Sequence, residues 1–291
     1  MRILDGKKIS QDIKNELKNL VSNRLAKGLK KPHLAAIIVG NDGASLTYVG
    51  SKVKACDYVG YDSTLIQLEE SITEEFLLEQ INKLNSNNLV DGFIVQLPLP
   101  KGIDEQKILL AINPDKDVDG FHPTNFGRMS LEMESFIPAT PYGIIELLDR
   151  YEIETSGKNC VVVGRSNIVG RPISILLSQK SKKGNATVTL AHSKTNNLKS
   201  ITRNADIIIS ALGIPEFLKS DMVKKGVVII DVGITRVHSE TSPKGYIIKG
   251  DVDYKNVSEK SSAITPVPGG VGPMTISMLL KNPFLACQRK D

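Results

Sequence analysis

The stretch VVVGRSNIVGRP, residues 161–172, passes from a short β-branched run through a glycine turn into an apolar-periodic segment. That order reads as strand, turn and helix, the repeating unit of parallel α/β sheets. A helix N-terminus offers unpaired backbone N–H groups and a partial positive charge, so the turn suits a phosphate-bearing ligand. A dinucleotide fingerprint reads G-x-G-x-x-G. Here Gly164 supplies the tight turn and Gly170 permits close helix–strand packing, while Ser166 stands where the middle glycine belongs. Its hydroxyl can donate a hydrogen bond to a diphosphate in place of close backbone approach. As a bare pattern, an ordinary βα turn remains the alternative.

Working outward, the next strand ends VTLAHSKT, residues 188–195, with no acidic residue where an NAD site places one for the ribose hydroxyl. Arg165 and Ser193 instead offer charge-assisted and hydroxyl contacts to a 2′-phosphate, which points to NADP. The block around this turn alternates throughout. Helix 142–150, strand 160–163, helix 170–179, strand 186–191, strand 206–210 after a helix, and strand 227–232 are expected.

An earlier block alternates in the same way. Ile9, Ile13, Leu17, Leu20, Val21 and Leu25 recur at helical spacing, HLAAIIVG (33–40) reads as a strand, and a helix carries Tyr48 to Val59. Strand 63–68, helix 73–84 with acidic residues in its first turn, and strand 93–97 continue the pattern. Between the blocks, residues 113–140 are rich in Pro, Gly, Asp and Asn and read as a functional loop and linker. The last 19 residues read as a helix broken near Pro283. The fold class is therefore α/β, with parallel sheets in two domains.

Composition narrows the function. The chain has 291 residues, enough for two domains, and 41% hydrophobic and 24% charged residues, as in a globular protein. No apolar run approaches the ~20 residues that span a bilayer, and Asp5, Lys7 and Lys8 interrupt any apolar signal core, so a cytoplasmic location is expected. Three cysteines and four histidines are scattered without ligand spacing, which indicates neither disulfides nor a metal site. The net charge of +5 is a weak pointer to anionic ligands. With aromatics at 5% and no arginine-rich patch among them, nucleic-acid binding has no specific support.

Three further constellations carry chemistry. Tyr48 and Lys52 are four residues apart on a helix and so share a face. A Tyr-x-x-x-Lys pair occurs in short-chain dehydrogenases, but there it follows the glycine motif, and here it precedes it. Gln96 ends the apolar strand in DGFIVQLPLP, at the carboxyl edge where ligands of α/β sheets gather. The loop PDKDVDG offers Asp115, Asp117 and Asp119 without the glycine and glutamate positions of a calcium loop. One of these carboxylates aimed at a guanidine-like ring edge is the economical role. Near the end, ITPVPGGVGPMT (264–275) combines stiffening prolines with glycines that let a ligand approach the backbone.

SLTYVGSKVKAC, DGFIVQLPLP, DKDVDGFHPTN, VVVGRSNIVGRP and ITPVPGGVGPMT, in that order, resemble the successive motifs of the bifunctional methylenetetrahydrofolate dehydrogenase/methenyltetrahydrofolate cyclohydrolase family. The likeness covers nearly the whole chain, with departures at Gly43, Gly102 and Ala139, where that family commonly carries proline, histidine and cysteine. It implies a folate-binding catalytic domain over 1–139, completed by a C-terminal helix 273–291, and a Rossmann-like NADP domain over 140–272. It implies NADP-dependent oxidation of 5,10-methylenetetrahydrofolate and hydrolysis of the methenyl product to 10-formyltetrahydrofolate. By the family's pattern Lys52 is the general acid/base, Gln96 orients and tunes it, Tyr48 seats the substrate, and Asp119 grips the pterin's amino-pyrimidine edge. Pro268, Gly269 and Gly270 are implied substrate contacts. Gly164, Arg165, Ser166, Ile168, Ser193, Ile234 and Thr275 are implied cofactor contacts. The resemblance further implies a homodimer and no formate-ligating domain. A dehydrogenase acting on shikimate-like acids is the enzyme rival.

Overall fold

The computed structural model describes residues 1–243 and 245–291. In chain order, β1 (Arg2–Ile3) and α1 (Gly6–Ala26) precede β2 (His33–Val39), α2 (Gly43–Val59), β3 (Asp62–Leu68), α3 (Glu74–Ser86) and β4 (Gly92–Val95). Next come α4 (Glu105–Ala111), α5 (Pro123–Ser130), α6 (Ala139–Arg150), β5 (Asn159–Val163), α7 (Gly170–Ser178), β6 (Thr187–Ala191) and α8 (Leu198–Arg203). The chain continues with β7 (Ile207–Ser210), β8 (Val227–Asp231), β9 (Thr235–His238), β10 (Tyr246–Lys249), α9 (Tyr254–Ser258), β11 (Ser261–Ile264) and α10 (Val271–Gln288). Two compact units emerge: Met1–Ser10 with Thr140–Thr275, and Gln11–Ala139 with Ile276–Asp291. Met1–Ser10 thus groups with the unit that carries the glycine turn.

The unit of residues 11–139 and 276–291 is built on a parallel sheet of order β3-β2-β4. Central β2 is buried from Leu34 to Val39, as expected of a strand covered on both faces. Helix α3 starts where Thr73 accepts a hydrogen bond from Phe76 N, with Glu74 and Glu75 complementing its dipole. The α1 stripe is narrower than its sequence pattern: Ile9, Ile13, Leu17 and Val21 are buried, while Leu20 and Leu25 face solvent. Leu20 falls off the i, i+4 line of the buried residues, and Leu25, though on it, lies in the last turn of the helix.

Two local readings are corrected. Residues 113–140 are not wholly loop, because α5 forms there, with the His122 side chain accepting from Thr124 N and Pro123 at its first position. Pro283 does not break the last helix, which runs through it to Gln288. Leu279, Leu280, Phe284 and Cys287 are all buried around it. Burial of that apolar face outweighs the ~3 kcal/mol that an interior proline costs.

The other unit carries a six-stranded sheet of order β1-β11-β8-β7-β5-β6, every pairing parallel. Its core packs Val161, Val163, Ile208, Ile229 and Ile264 from four adjacent strands. After β5 the chain adds β6 on one side and then crosses to β7 on the other, so the sheet reverses its winding at β5. The parallel expectation fails at β9 and β10, which form a separate antiparallel hairpin pairing Thr235 with Lys249. Short β1 and β11 were also invisible to periodicity, since two to four residues show no pattern.

Candidate active site

In the smaller sheet β2 is followed by β3 on one side and β4 on the other, so the carboxyl ends of β2 and β4 flank a winding reversal. Ligands of open α/β sheets bind at such points. Helix α2 leaves that edge, with the Asp42 side chain accepting from Ser45 N at its start. Its first turns bring Tyr48 and Lys52 onto one face, with the Lys52 ammonium 4.9 Å from the centre of the Tyr48 ring.

Lys52 Nζ donates to Gln96 Oε1 at 3.1 Å. Gln96 is held in turn: its Nε2 donates to Leu97 O at 2.7 Å and its backbone N to Ile37 O at 2.9 Å. With the amide nitrogen engaged by a carbonyl, the amide oxygen is the atom left facing the lysine. Lys52 is 5% exposed. Burial lowers its pKa, and the opposing pull of Asp119 and Cys56 does not offset that. Burial raises the Asp119 carboxyl, with Lys52 working against the shift.

The three aspartates of the 113–120 loop separate clearly. Asp115 is exposed. Asp117 is buried and accepts from Phe121 N at 3.2 Å, His122 N at 2.8 Å and Asn125 Nδ2 at 2.9 Å. Burial pushes it up to about 7 against those bonds, and it serves the loop itself. Asp119 is the one of the three coupled to Lys52. The loop is seated by Gly92, where a Cβ would come within 2.0 Å of Val118 Cγ1.

In the larger sheet the equivalent edge lies at the carboxyl end of β5. Gly164 has φ +122°, and a Cβ there would fall 2.1 Å from Ala211 O. A Cβ on Gly170 would fall 2.1 Å from Gly164 O, so both glycines are required by packing. Ser166 Oγ accepts from Val169 N and Gly170 N, each at 3.2 Å. The hydroxyl therefore caps the helix start, and its proton remains available to donate outward. Gly164 N donates to Ala191 O at 2.9 Å, and Val163 pairs with Ala191. Arg165 and Ser193 thus each follow a paired strand end by two residues, and both are exposed, as is Ile168.

In the same unit, residues 231–234, Ile248 and 266–273 line a cleft of about 190 Å³ that includes Pro268, Gly269 and Gly270. The loop is pinned from α1: Lys7 N donates to Gly269 O at 2.9 Å, and a Cβ on Gly6 would lie 1.8 Å from Gly270 O. Ile234 is 59% exposed at the cleft. Thr275 Oγ1 is paired with Thr140 Oγ1 at 2.9 Å. Sequence reasoning passed over Gly6, Thr140 and the 211–214 segment. A glycine soon after a strand, in SALG, was the one available sign of the last. Among the described residues no three His, Cys, Asp or Glu side chains converge as a metal site.

Family profiles match both blocks: the tetrahydrofolate dehydrogenase/cyclohydrolase catalytic domain over residues 4–119, and the NAD(P)-binding domain of the same family over 138–291. The bifunctional protein FolD of Flavobacterium johnsoniae is 68% identical over 286 residues, covering 98% of this chain and 97% of that protein. The crystal structure of the bifunctional FolD methylenetetrahydrofolate dehydrogenase/cyclohydrolase from Campylobacter jejuni superposes with a TM-score of 0.94 at 49% identity, over 100% of both chains. The Trypanosoma brucei enzyme, solved with NADP cofactor and an inhibitor, gives a TM-score of 0.92 at 37% identity, over 99% of this chain and 97% of that one. By sequence, by fold and by the chemistry gathered at its two sheet edges, this chain belongs to the tetrahydrofolate dehydrogenase/cyclohydrolase family.

Proposed function

We propose that Lys52, Gln96 and Tyr48 form the catalytic centre of a bifunctional enzyme. It oxidises 5,10-methylenetetrahydrofolate with NADP and hydrolyses the resulting methenyl cation to 10-formyltetrahydrofolate. The observation that carries the assignment is the buried Lys52 ammonium, bonded to Gln96 and coupled to Asp119.

The residues of the larger sheet's edge fit NADP. Gly164 and Gly170 close the turn so tightly that a Cβ on either would strike backbone, Arg165 and Ser193 are exposed beside it, and no acid ends β6. NADP held at this turn would supply the hydride acceptor for the methylene carbon. This chain's residues hold the reactants, and placement at near-attack distance is worth ~7–11 kcal/mol.

Hydrolysis requires proton movement. Neutral Lys52 takes a proton from the water that attacks the methenyl carbon, and its lowered pKa makes the neutral form accessible. Collapse of the hydroxyl adduct to the formyl group breaks the bond to N5, which takes up a proton, and one proton is released overall. Gln96 Oε1 orients the ammonium for these transfers. Asp119 accepts from the pterin's amino-pyrimidine edge, and Tyr48 presents a ring face to the substrate. Pro268, Gly269 and Gly270 offer backbone to the folate. Ile168, Ile234 and Thr275 complete the cofactor contacts. The family resemblance also supports a homodimer acting in the cytoplasm.

The test is direct. Purified protein given 5,10-methylenetetrahydrofolate and NADP should produce NADPH, and given the methenyl compound alone should accelerate its conversion to the formyl product. Absence of both activities overturns the proposal.

A further inference from the structure

Two buried aspartates outside the proposed catalytic cluster tie together the loops at the carboxyl edge of the larger sheet. Asp231 is 2% exposed and Asp251 is 0% exposed. Asp251 Oδ2 accepts from Leu212 N at 2.6 Å, and its Oδ1 accepts from Ile214 N at 2.9 Å. Asp231 in turn fixes the backbone that bears Asp251. Its Oδ1 accepts from Asp251 N at 2.9 Å and Gly233 N at 3.0 Å, and its Oδ2 from Val252 N at 3.0 Å. Gly233 leaves room for this arrangement, since a Cβ there would lie 2.3 Å from Asp251 Oδ1.

The segment held by Asp251 is a wall of the glycine turn. Ala211 N donates to Val163 O at 2.9 Å, and Ala211 O occupies the space that a Gly164 side chain would need. Ala211 therefore cannot move toward the turn without displacing Gly164. Gly213 sits at φ +71° with no atom near its missing Cβ, so at the tip of the segment the two N–H groups held by Asp251 fix the path, while Leu212 packs against the core. Two N–H donors converge on one side chain. Only a carboxylate offers two acceptor oxygens and no hydrogen, whereas asparagine would turn an amino group toward one donor.

We propose that Asp251 is a positioning residue for the cofactor half of the reaction: it holds residues 211–214 so that the Gly164–Ser166 turn keeps the shape that receives the dinucleotide diphosphate. The inference rests on the proposed placement of NADP at that turn. It separates the two activities, because hydrolysis of the methenyl compound needs no dinucleotide.

The experiment compares Asp251→Asn with the parent enzyme in both assays. Loss of one buried acceptor should raise the Michaelis constant for NADP about tenfold or more. The constant for NAD should rise in parallel, because the diphosphate is common to both. Cyclohydrolase activity, measured without dinucleotide, should stay within about twofold, since no proposed proton-transfer group is touched. An unchanged Michaelis constant, or equal loss of both activities in a folded variant, overturns the proposal. Should Asp251→Asn not fold, Gly213→Ala decides: it strains the same segment without a clash. A raised constant with cyclohydrolase retained upholds the role, and an unchanged constant overturns it. A parent protein without NADP reduction would instead refute the functional assignment on which this rests.

Discussion

Lys52 and Gln96 stand 44 residues apart in the chain and meet at 3.1 Å, ammonium to amide oxygen. The pairing follows from topology. α2 starts after β2, Gln96 follows β4, and β2 and β4 are neighbours in a parallel sheet, so both residues leave the same edge. A neutral acceptor orients the lysine without adding the full charge that would hold it protonated. Burial is left to lower its pKa.

Replacing Lys52 by Met keeps the side chain's length and removes its proton chemistry. Cyclohydrolase activity should fall by ~10²- to 10⁴-fold, the usual worth of general acid–base catalysis. Hydride transfer needs no obligatory base and should persist in part, as read by NADPH formation. Full cyclohydrolase activity in this variant would remove Lys52 from the mechanism.

Asp119 raises the Lys52 pKa from its buried, lowered position. Because the neutral amine is the base, the hydrolysis rate climbs as pH rises through that pKa. Asp119→Asn deletes the negative charge, so the rising limb of the pH–rate profile should move to lower pH after subtraction of the uncatalysed rate. Folate binding should weaken at the same time, by about 1–3 kcal/mol from ring donors left unmet. A limb that stays in place would show that the two groups are not coupled.

Arg165 is exposed at the end of β5 and Ser193 at the end of β6, beside the same turn. If they receive the 2′-phosphate, Arg165→Ala should lower the NADP-to-NAD ratio of kcat/KM about tenfold or more, at ~1.5–3 kcal/mol for a charge-assisted contact. Ser166→Ala should leave that ratio alone and weaken both cofactors, because its hydroxyl caps Val169 N and Gly170 N beside the shared diphosphate. Steady-state kinetics with each dinucleotide distinguish the two effects.

Gly6 abuts the backbone of Gly270, with no space for a methyl group. Gly6→Ala must push either the start of α1 or the 268–270 loop aside, and overpacking of this kind costs about 1–3 kcal/mol or more. Thermal unfolding should show a lowered midpoint, and both activities should drop together if the loop moves. A midpoint equal to the parent's would mean that the helix start shifts freely.

Much of the architecture was legible along the chain. Strands such as HLAAIIV and the 161–163 run, the glycine turn between β5 and α7, and the α/β alternation depend on residues near one another in sequence, where periodicity and backbone preference act directly. The family motifs were legible for the same reason, as contiguous strings. Other features were settled only by tertiary packing. Asp115, Asp117 and Asp119 are chemically alike, and only the folded loop gives Asp117 to Phe121 N, His122 N and Asn125 and leaves Asp119 coupled to Lys52. Pro283 reads as a breaker until the buried faces around it compensate for one lost hydrogen bond. The brace from Asp231 through Asp251 to residues 211–214 joins three loops whose order in the chain says nothing of their adjacency. A side chain's partners across a sheet edge depend on strand order and register, and those are properties of the folded whole.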